Sequence, residues 1–74
     1  MFEDVKEIIV NTLGCKPENV TLDANLFDDL GADSLDAVEL SLGIEEKTGI
    51  SIDQDAMVNI KTVQDIMDYL EEHK

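Results

Sequence analysis

The 74-residue chain has no tryptophan, no arginine, one cysteine, one proline and no long apolar run. Each absence removes a class of protein. A lone Cys15 excludes an intrachain disulfide and fits a reducing compartment, and the residue is read as a small buried hydrophobe just after a helix. A membrane span needs about 18 or more consecutive apolar residues, and none is present. The opening MFEDVKEI has neither the basic nor the apolar region of a secretory leader, so the expected location is the cytoplasm. Five basic residues, all lysine, face 18 acidic ones, for a formal net charge of −13. That field repels phosphate backbones and anionic headgroups, so nucleic acid and membrane surfaces are not expected partners. It attracts proteins that carry basic patches.

What is present suffices for one small core. Hydrophobic residues make up 43% of the chain, and residues 1–74 are read as a single domain, expected to be a monomer. A core of this size cannot enclose a substrate cavity of roughly 300 Å³ together with the machinery to act on it, which argues against a stand-alone enzyme.

Helical spacing organises most of the chain. Phe2, Val5, Ile8, Ile9 and Leu13 recur along a first helix, with Glu3 and Asp4 in its first turn and Gly14 as its stop. Residues 15–33 show no sustained period, yet Val20, Leu22, Leu26, Phe27 and Leu30 punctuate them. They are read as a long loop pinned to the core. A second helix is expected from Ser34 to Thr48, capped by Asp33 or Ser34 and ended by Gly49. Within Ile50 to Asn59, the run Asp53, Gln54, Asp55 is read as opening a short helical turn that carries Met57 and Ile60 inward. A last helix follows Thr62, with Asp65 three residues on and Val63, Ile66, Met67 and Leu70 at helical spacing. His73 and Lys74 suit the negative end of its dipole. No segment alternates as a strand. The fold class is therefore all-α: a bundle of three main helices plus one short helix, with a long loop between the first two.

The second helix carries more apolar surface than one core requires. At about 100° per residue, Ala37, Leu40 and Ile44 share one side, while Leu35, Val38 and Leu42 share the other. Glu39, Glu45 and Glu46 fall beside the second group. The Ala37 side is assigned to the core and the acid-rimmed side to a partner; the alternative is a central helix packed on both sides. Gly43 costs about 1 kcal/mol relative to alanine in mid-helix, and it would permit close approach by a neighbouring helix or by a partner.

Ser34 opens this helix. A hydroxyl there is exposed on a rigid element, where backbone N–H groups favour an attached phosphate, but on position alone a simple helix cap is much the stronger explanation. A nucleophilic enzyme would need a base within reach, and the one histidine, His73, stands in the C-terminal tail. Asp28, Asp29, Asp33 and Asp36 crowd the site without calcium-loop spacing, so no metal site is expected.

At DLGADSLDAVEL, residues 29–40, the sequence strongly resembles the acyl carrier protein family, whose members carry a D-S-L motif at the start of their second helix. LGCKPENV, the acidic pair Glu45 and Glu46, and IKTVQDIMDYL also look like bacterial members, so the likeness covers nearly the whole chain. The resemblance implies that Ser34, flanked by Asp33 and Leu35, receives a 4′-phosphopantetheine arm from a separate phosphopantetheinyl transferase and holds acyl groups on it as thioesters. It further implies that Leu35, Asp36, Val38, Glu39, Leu42, Glu45 and Glu46 dock on basic patches of acyltransferases, ketosynthases, reductases and dehydratases. Acyl chains would enter a pocket at Leu26, Ile44, Ile52, Met57, Ile60 and Tyr69. Three positions depart from the family pattern: Thr48 stands where a large apolar residue is common, Asp53 where proline is, and Met57 where a small residue is. The leading reading is a discrete carrier for fatty acid biosynthesis. A carrier for a dedicated polyketide or specialised acyl pathway is the alternative, and an acidic helical adaptor without a prosthetic group is the alternative of another class.

Overall fold

A computed structural model describes residues 2–73; Lys74, read above as complementing a helix dipole, lies outside the described residues. Four helices follow in chain order: α1 (Phe2–Leu13), α2 (Ser34–Thr48), α3 (Gln54–Asn59) and α4 (Val63–His73). This is the all-α arrangement of three main helices and one short one that the periodicity predicts, with a single 3₁₀ turn at Pro17–Asn19 added inside the long loop.

Most helix ends have a local cause. Gly14 and Gly49 adopt φ of 69° and 77°, a left-handed geometry that costs glycine no steric strain, and their N–H groups donate to Val10 O at 2.9 Å and Glu45 O at 2.8 Å. Asp33, not Ser34, caps α2. Its carboxylate accepts from Asp36 N at 3.0 Å, and Asp36 returns the bond by accepting from Asp33 N at 3.2 Å. The same reciprocal box opens α4: Thr62 Oγ1 accepts from Asp65 N at 3.2 Å and Asp65 Oδ2 accepts from Thr62 N at 3.1 Å. Asp53 caps α3 by accepting from Ala56 N at 2.8 Å, so the aspartate that stands where proline is common does local structural work. Thr48 is explained similarly. Its hydroxyl donates to Ile44 O at 2.7 Å and accepts from Ile50 N at 3.2 Å, which closes the end of α2.

The core is built from every α-helix. Val5 and Ile9 of α1, Leu40 and Ile44 of α2, Met57 of α3, and Val63, Ile66 and Leu70 of α4 are buried with Val20, Leu26, Leu30, Ile52 and Ile60. Two of the expected loop anchors fail: Leu22 and Phe27 are exposed. Adjacent apolar residues in a turn point different ways, and Leu26 takes the inward position that Phe27 was expected to share. Ala24 and Ala32 are buried instead. Cys15 is only half-buried against the core. Gly43 has a clear packing role, because a Cβ there would stand 2.9 Å from Ile8 Cγ2. The missing side chain lets α1 lie close on α2.

The long loop is held by backbone bonds as well as by side chains. Leu26 N donates to Lys61 O at 2.8 Å, Val63 N to Ala24 O at 3.1 Å and Gln64 N to Leu22 O at 3.0 Å. Asn25 organises the turn between these bonds: its side-chain oxygen accepts from Phe27 N and Asp28 N, both at 2.9 Å, and its own N–H donates to Asp29 Oδ2 at 2.7 Å. This ties the segment before Ser34 to the start of α4. No helix among the described residues is long and apolar enough to cross a membrane.

Candidate functional site

The site is assembled around the first turn of α2. Ser34 is exposed at the first helical position, while Asp33 and Asp36 on either side are engaged in capping. Ala32 N donates to Leu26 O at 2.8 Å, which fixes the approach to the helix. Ser34 therefore presents its hydroxyl from a rigid corner.

Ser34 stands at one end of a groove of about 580 Å³ that runs between α2 and α3. Val38, Ser41, Leu42 and Glu45 form its α2 wall, and Val58, Gln54 and Asp53 lie opposite. Ile52 and Met57 are part of its lining as well as of the core. Phe27 lines it too. Sequence reasoning missed Phe27 as a site residue by assigning it to the core, and the one available signal, its place seven residues before Ser34 in a loop, carries no period.

The two faces of α2 separate sharply. Leu40 and Ile44 are fully buried, whereas Leu35 is 74% exposed and Leu42 57% exposed, with Val38 also open. The Ala37 side faces the core and the second apolar side faces solvent, so the helix is not packed on both sides. Its carboxylates lie on two flanks: Glu45 borders the groove, and Glu46 lies toward α1 in a cleft with Ile8, Asn11 and Gly43. Glu39 is exposed on α2.

The six residues expected to form an acyl pocket do not all line the groove beside Ser34. Leu26 and Ile44 are fully buried and Ile60 nearly so, all three within the core cluster. Tyr69 is engaged elsewhere: its hydroxyl donates to Ser51 O at 3.3 Å and its ring stacks on His73, with centroids 4.1 Å apart. Only Ile52 and Met57 of the six reach the groove. One carboxylate is electrostatically distinct. Asp65 is held below the ordinary carboxylate range, first by the backbone N–H of Lys61 and then by that of Thr62, against a smaller opposing effect of burial.

The residues at the start of α2 fit a phosphodiester-linked arm. An exposed hydroxyl on the first helical residue places a phosphate against the N–H groups of the first turn. Asp33 and Asp36 oppose that charge, but in water a repulsion between exposed charges is only about 1 kcal/mol at 4 Å. The comparisons with known proteins agree with this geometry. Residues 3–70 match the family described as "Phosphopantetheine attachment site". The chain is 46% identical over 72 residues to an acyl carrier protein of Zymomonas mobilis, covering 97% of this chain and 92% of that one. It is 44% identical over 72 residues to an acyl carrier protein of Chlamydia trachomatis, covering 97% and 94%. A solved structure from Mycobacterium tuberculosis, assigned as an acyl carrier protein, superposes with a TM-score of 0.87 at 31% identity, covering 96% of this chain and 95% of that one.

These matches define a phosphopantetheine-bearing carrier rather than an enzyme. The chain belongs to the acyl carrier protein family.

Proposed function

We infer that residues 1–74 act as one carrier domain, and that Ser34 Oγ bears the 4′-phosphopantetheine arm on which acyl intermediates of fatty acid biosynthesis travel as thioesters in the cytoplasm. The observation that carries this reading is the placement of Ser34. It is exposed, at the first position of α2, at the mouth of an apolar groove and beside an acid-rimmed apolar face. The arm supplies a thiol for thioester formation; the chain's own residues hold and present it. Asp33 and Asp36 rigidify the helix start, and Leu35 lies next to the attachment point. Both neighbouring carboxylates accept backbone N–H bonds that hold them at the helix start, and loading is carried out by the separate transferase.

Leu35, Val38 and Leu42 form the apolar centre of the docking face, and Glu39, Glu45 and Glu46 pair with basic residues around its edge. A phosphopantetheinyl transferase, acyltransferases, ketosynthases, reductases and dehydratases are the partners this face suits. Charge complementarity speeds encounter and sets orientation, while the apolar centre supplies most of the affinity.

Intact mass of the chain from its native host tests attachment. One added phosphopantetheine, abolished in Ser34→Ala, is the expected result; an unmodified chain that a promiscuous transferase also leaves unmodified would support an adaptor instead. Acyl groups recovered from the thiol in cells distinguish fatty acid biosynthesis from a dedicated polyketide or specialised pathway. Glu39→Lys slows loading and transfer with helicity retained, and unchanged kinetics would remove Glu39 from the docking face.

A further inference from the structure

A continuous path of hydrogen bonds runs from the first turn of α4 to the corner that carries Ser34. It begins at one oxygen. Asp65 Oδ2 accepts from Lys61 N at 3.0 Å and from Thr62 N at 3.1 Å, which fixes the peptide between those two residues. The carbonyl of that peptide, Lys61 O, accepts from Leu26 N at 2.8 Å, and Leu26 O in turn accepts from Ala32 N at 2.8 Å, two positions before Ser34. Leu26 is thus tied at both ends, and its side chain is fully buried. The peptide between Lys61 and Thr62 is held on both sides, its N–H by a carboxylate and its C=O by the loop. Bonds that share a peptide polarise one another, so an anion on the N–H makes the C=O a better acceptor. The two bonds to Asp65 also keep its carboxyl below the ordinary range, which leaves it charged near neutral pH.

Resting on Ser34 as the point of attachment, we propose that Asp65 is a positioning residue for loading: by fixing the peptide between Lys61 and Thr62 it sets, through Leu26 and Ala32, where the Ser34 hydroxyl stands when the transferase acts. Asp65 itself lies on α4, outside the groove and away from the apolar face of α2. Loading forms a bond from Ser34 Oγ to the phosphorus that bears the pantetheine of coenzyme A and breaks the pyrophosphate P–O bond. The hydroxyl proton is released and the adenosine bisphosphate leaves. Such a step depends steeply on placement, since a shift of about 1 Å can cost about 100-fold in rate. Slack at Ala32 is therefore felt at Ser34 Oγ. The docking face, carried by the body of α2, does not feel it.

The test gives the full, unloaded chain coenzyme A and an excess of a promiscuous phosphopantetheinyl transferase, and follows a single turnover by intact mass. Asp65→Ala lowers the maximal rate by about threefold or more, while the transferase concentration giving half that rate stays within about twofold, because docking is unaltered. Amide exchange at Leu26 and Ala32 quickens with it, and more than at Gly49 beyond the far end of α2. Asp65→Glu keeps the charge and supplies the usual residue of a capping box, so it restores both readouts. Gly14→Ala strains the left-handed end of α1 and gives a destabilised protein in which the path is intact; folded, it loads at the native rate. Should Asp65→Ala fail to fold, Asp65→Asn, which keeps an acceptor oxygen but loses the charge, shows a smaller drop in the same readouts. A native maximal rate in the folded Asp65 variant, an equal drop in Gly14→Ala, or unchanged exchange at Ala32 would overturn the proposal. A native chain that takes up no phosphopantetheine counts against Ser34 attachment instead, and Ala32 exchange then still reports whether Asp65 holds the corner.

Discussion

The two irregular connections of this bundle are anchored in opposite ways. Residues 15–33 contain only one 3₁₀ turn, yet they send backbone bonds to Lys61, Val63 and Gln64 and bury Val20, Ala24, Leu26, Leu30 and Ala32. Residues 50–60 contain a helix, yet the hydrogen bonds of Asp53, Ala56, Met57 and Ile60 stay within the segment. The bond from the Tyr69 hydroxyl to Ser51 O joins it to α4, and Ile52, Met57 and Ile60 pack inward. Regular secondary structure is thus a poor guide to rigidity here. What matters is where the polar groups and side chains of a segment are satisfied. The well-tied loop holds Ser34 in place, and the lightly tied helix borders the groove.

The largest effect that would break this contrast comes from the anchored loop. Leu26→Ala should cost about 2–5 kcal/mol in urea unfolding, against less than about 0.5 kcal/mol for Val58→Ala in the helical segment. Equal losses would mean that the two connections contribute alike. Hydrogen exchange sharpens the same point without mutation. The amides of Leu26, Val63 and Gln64 should exchange more slowly than those of Ala56 and Met57, by about tenfold or more for each 1.4 kcal/mol separating their opening free energies. The reverse order would invert the assignment.

The Thr62–Asp65 box, where the loop meets α4, gives a smaller effect with a defined pH window. Asp65→Asn should remove about 1 kcal/mol at neutral pH, the typical worth of a cap. The Asp65 carboxylate titrates lower when folded than when unfolded, where its value is about 3.9. Its stabilisation is therefore present above pH ~4 and declines as pH falls through the folded value. Acid unfolding curves of native and Asp65→Asn proteins should converge below pH ~4, and a constant gap would assign the loss to packing. Salt gives the smallest effect. The molecule measures 26 × 22 × 19 Å, within one screening length of about 30 Å at 10 mM salt, so its net charge of −13 repels itself throughout. Moving to about 150 mM shortens that length to about 8 Å and should raise the melting temperature by a few degrees. An unchanged value would contradict the self-repulsion.

Much of this arrangement was legible in the residues. Gly14 and Gly49, the aspartates and threonine at the helix starts, and the two apolar stripes of α2 are local signals, and local signals place helix ends and faces. The loop was harder to read. Leu22 and Phe27 look like anchors because they are apolar, but only the backbone bonds of residues 22–26 to residues 61–64 decide that Leu26 turns inward and Phe27 toward the groove. Those partners lie some forty positions away in sequence, and no period in residues 15–33 reports them. The interior near Met57 was similarly illegible. Whether six apolar residues enclose a space or fill it depends on how their volumes meet in three dimensions.

The reciprocal bonds of Asp33 and Asp36 bear on how this carrier could be re-addressed. Both carboxylates flank Ser34 and invite charge reversal in the design of an orthogonal carrier and enzyme pair, but each also satisfies a backbone N–H at the start of α2. Swapping either one would alter the proposed docking face and fray the corner on which it stands. On the proposed docking face, Glu39 and Glu45, exposed on the body of the helix, are the positions at which a new address would be set while the serine keeps its mount.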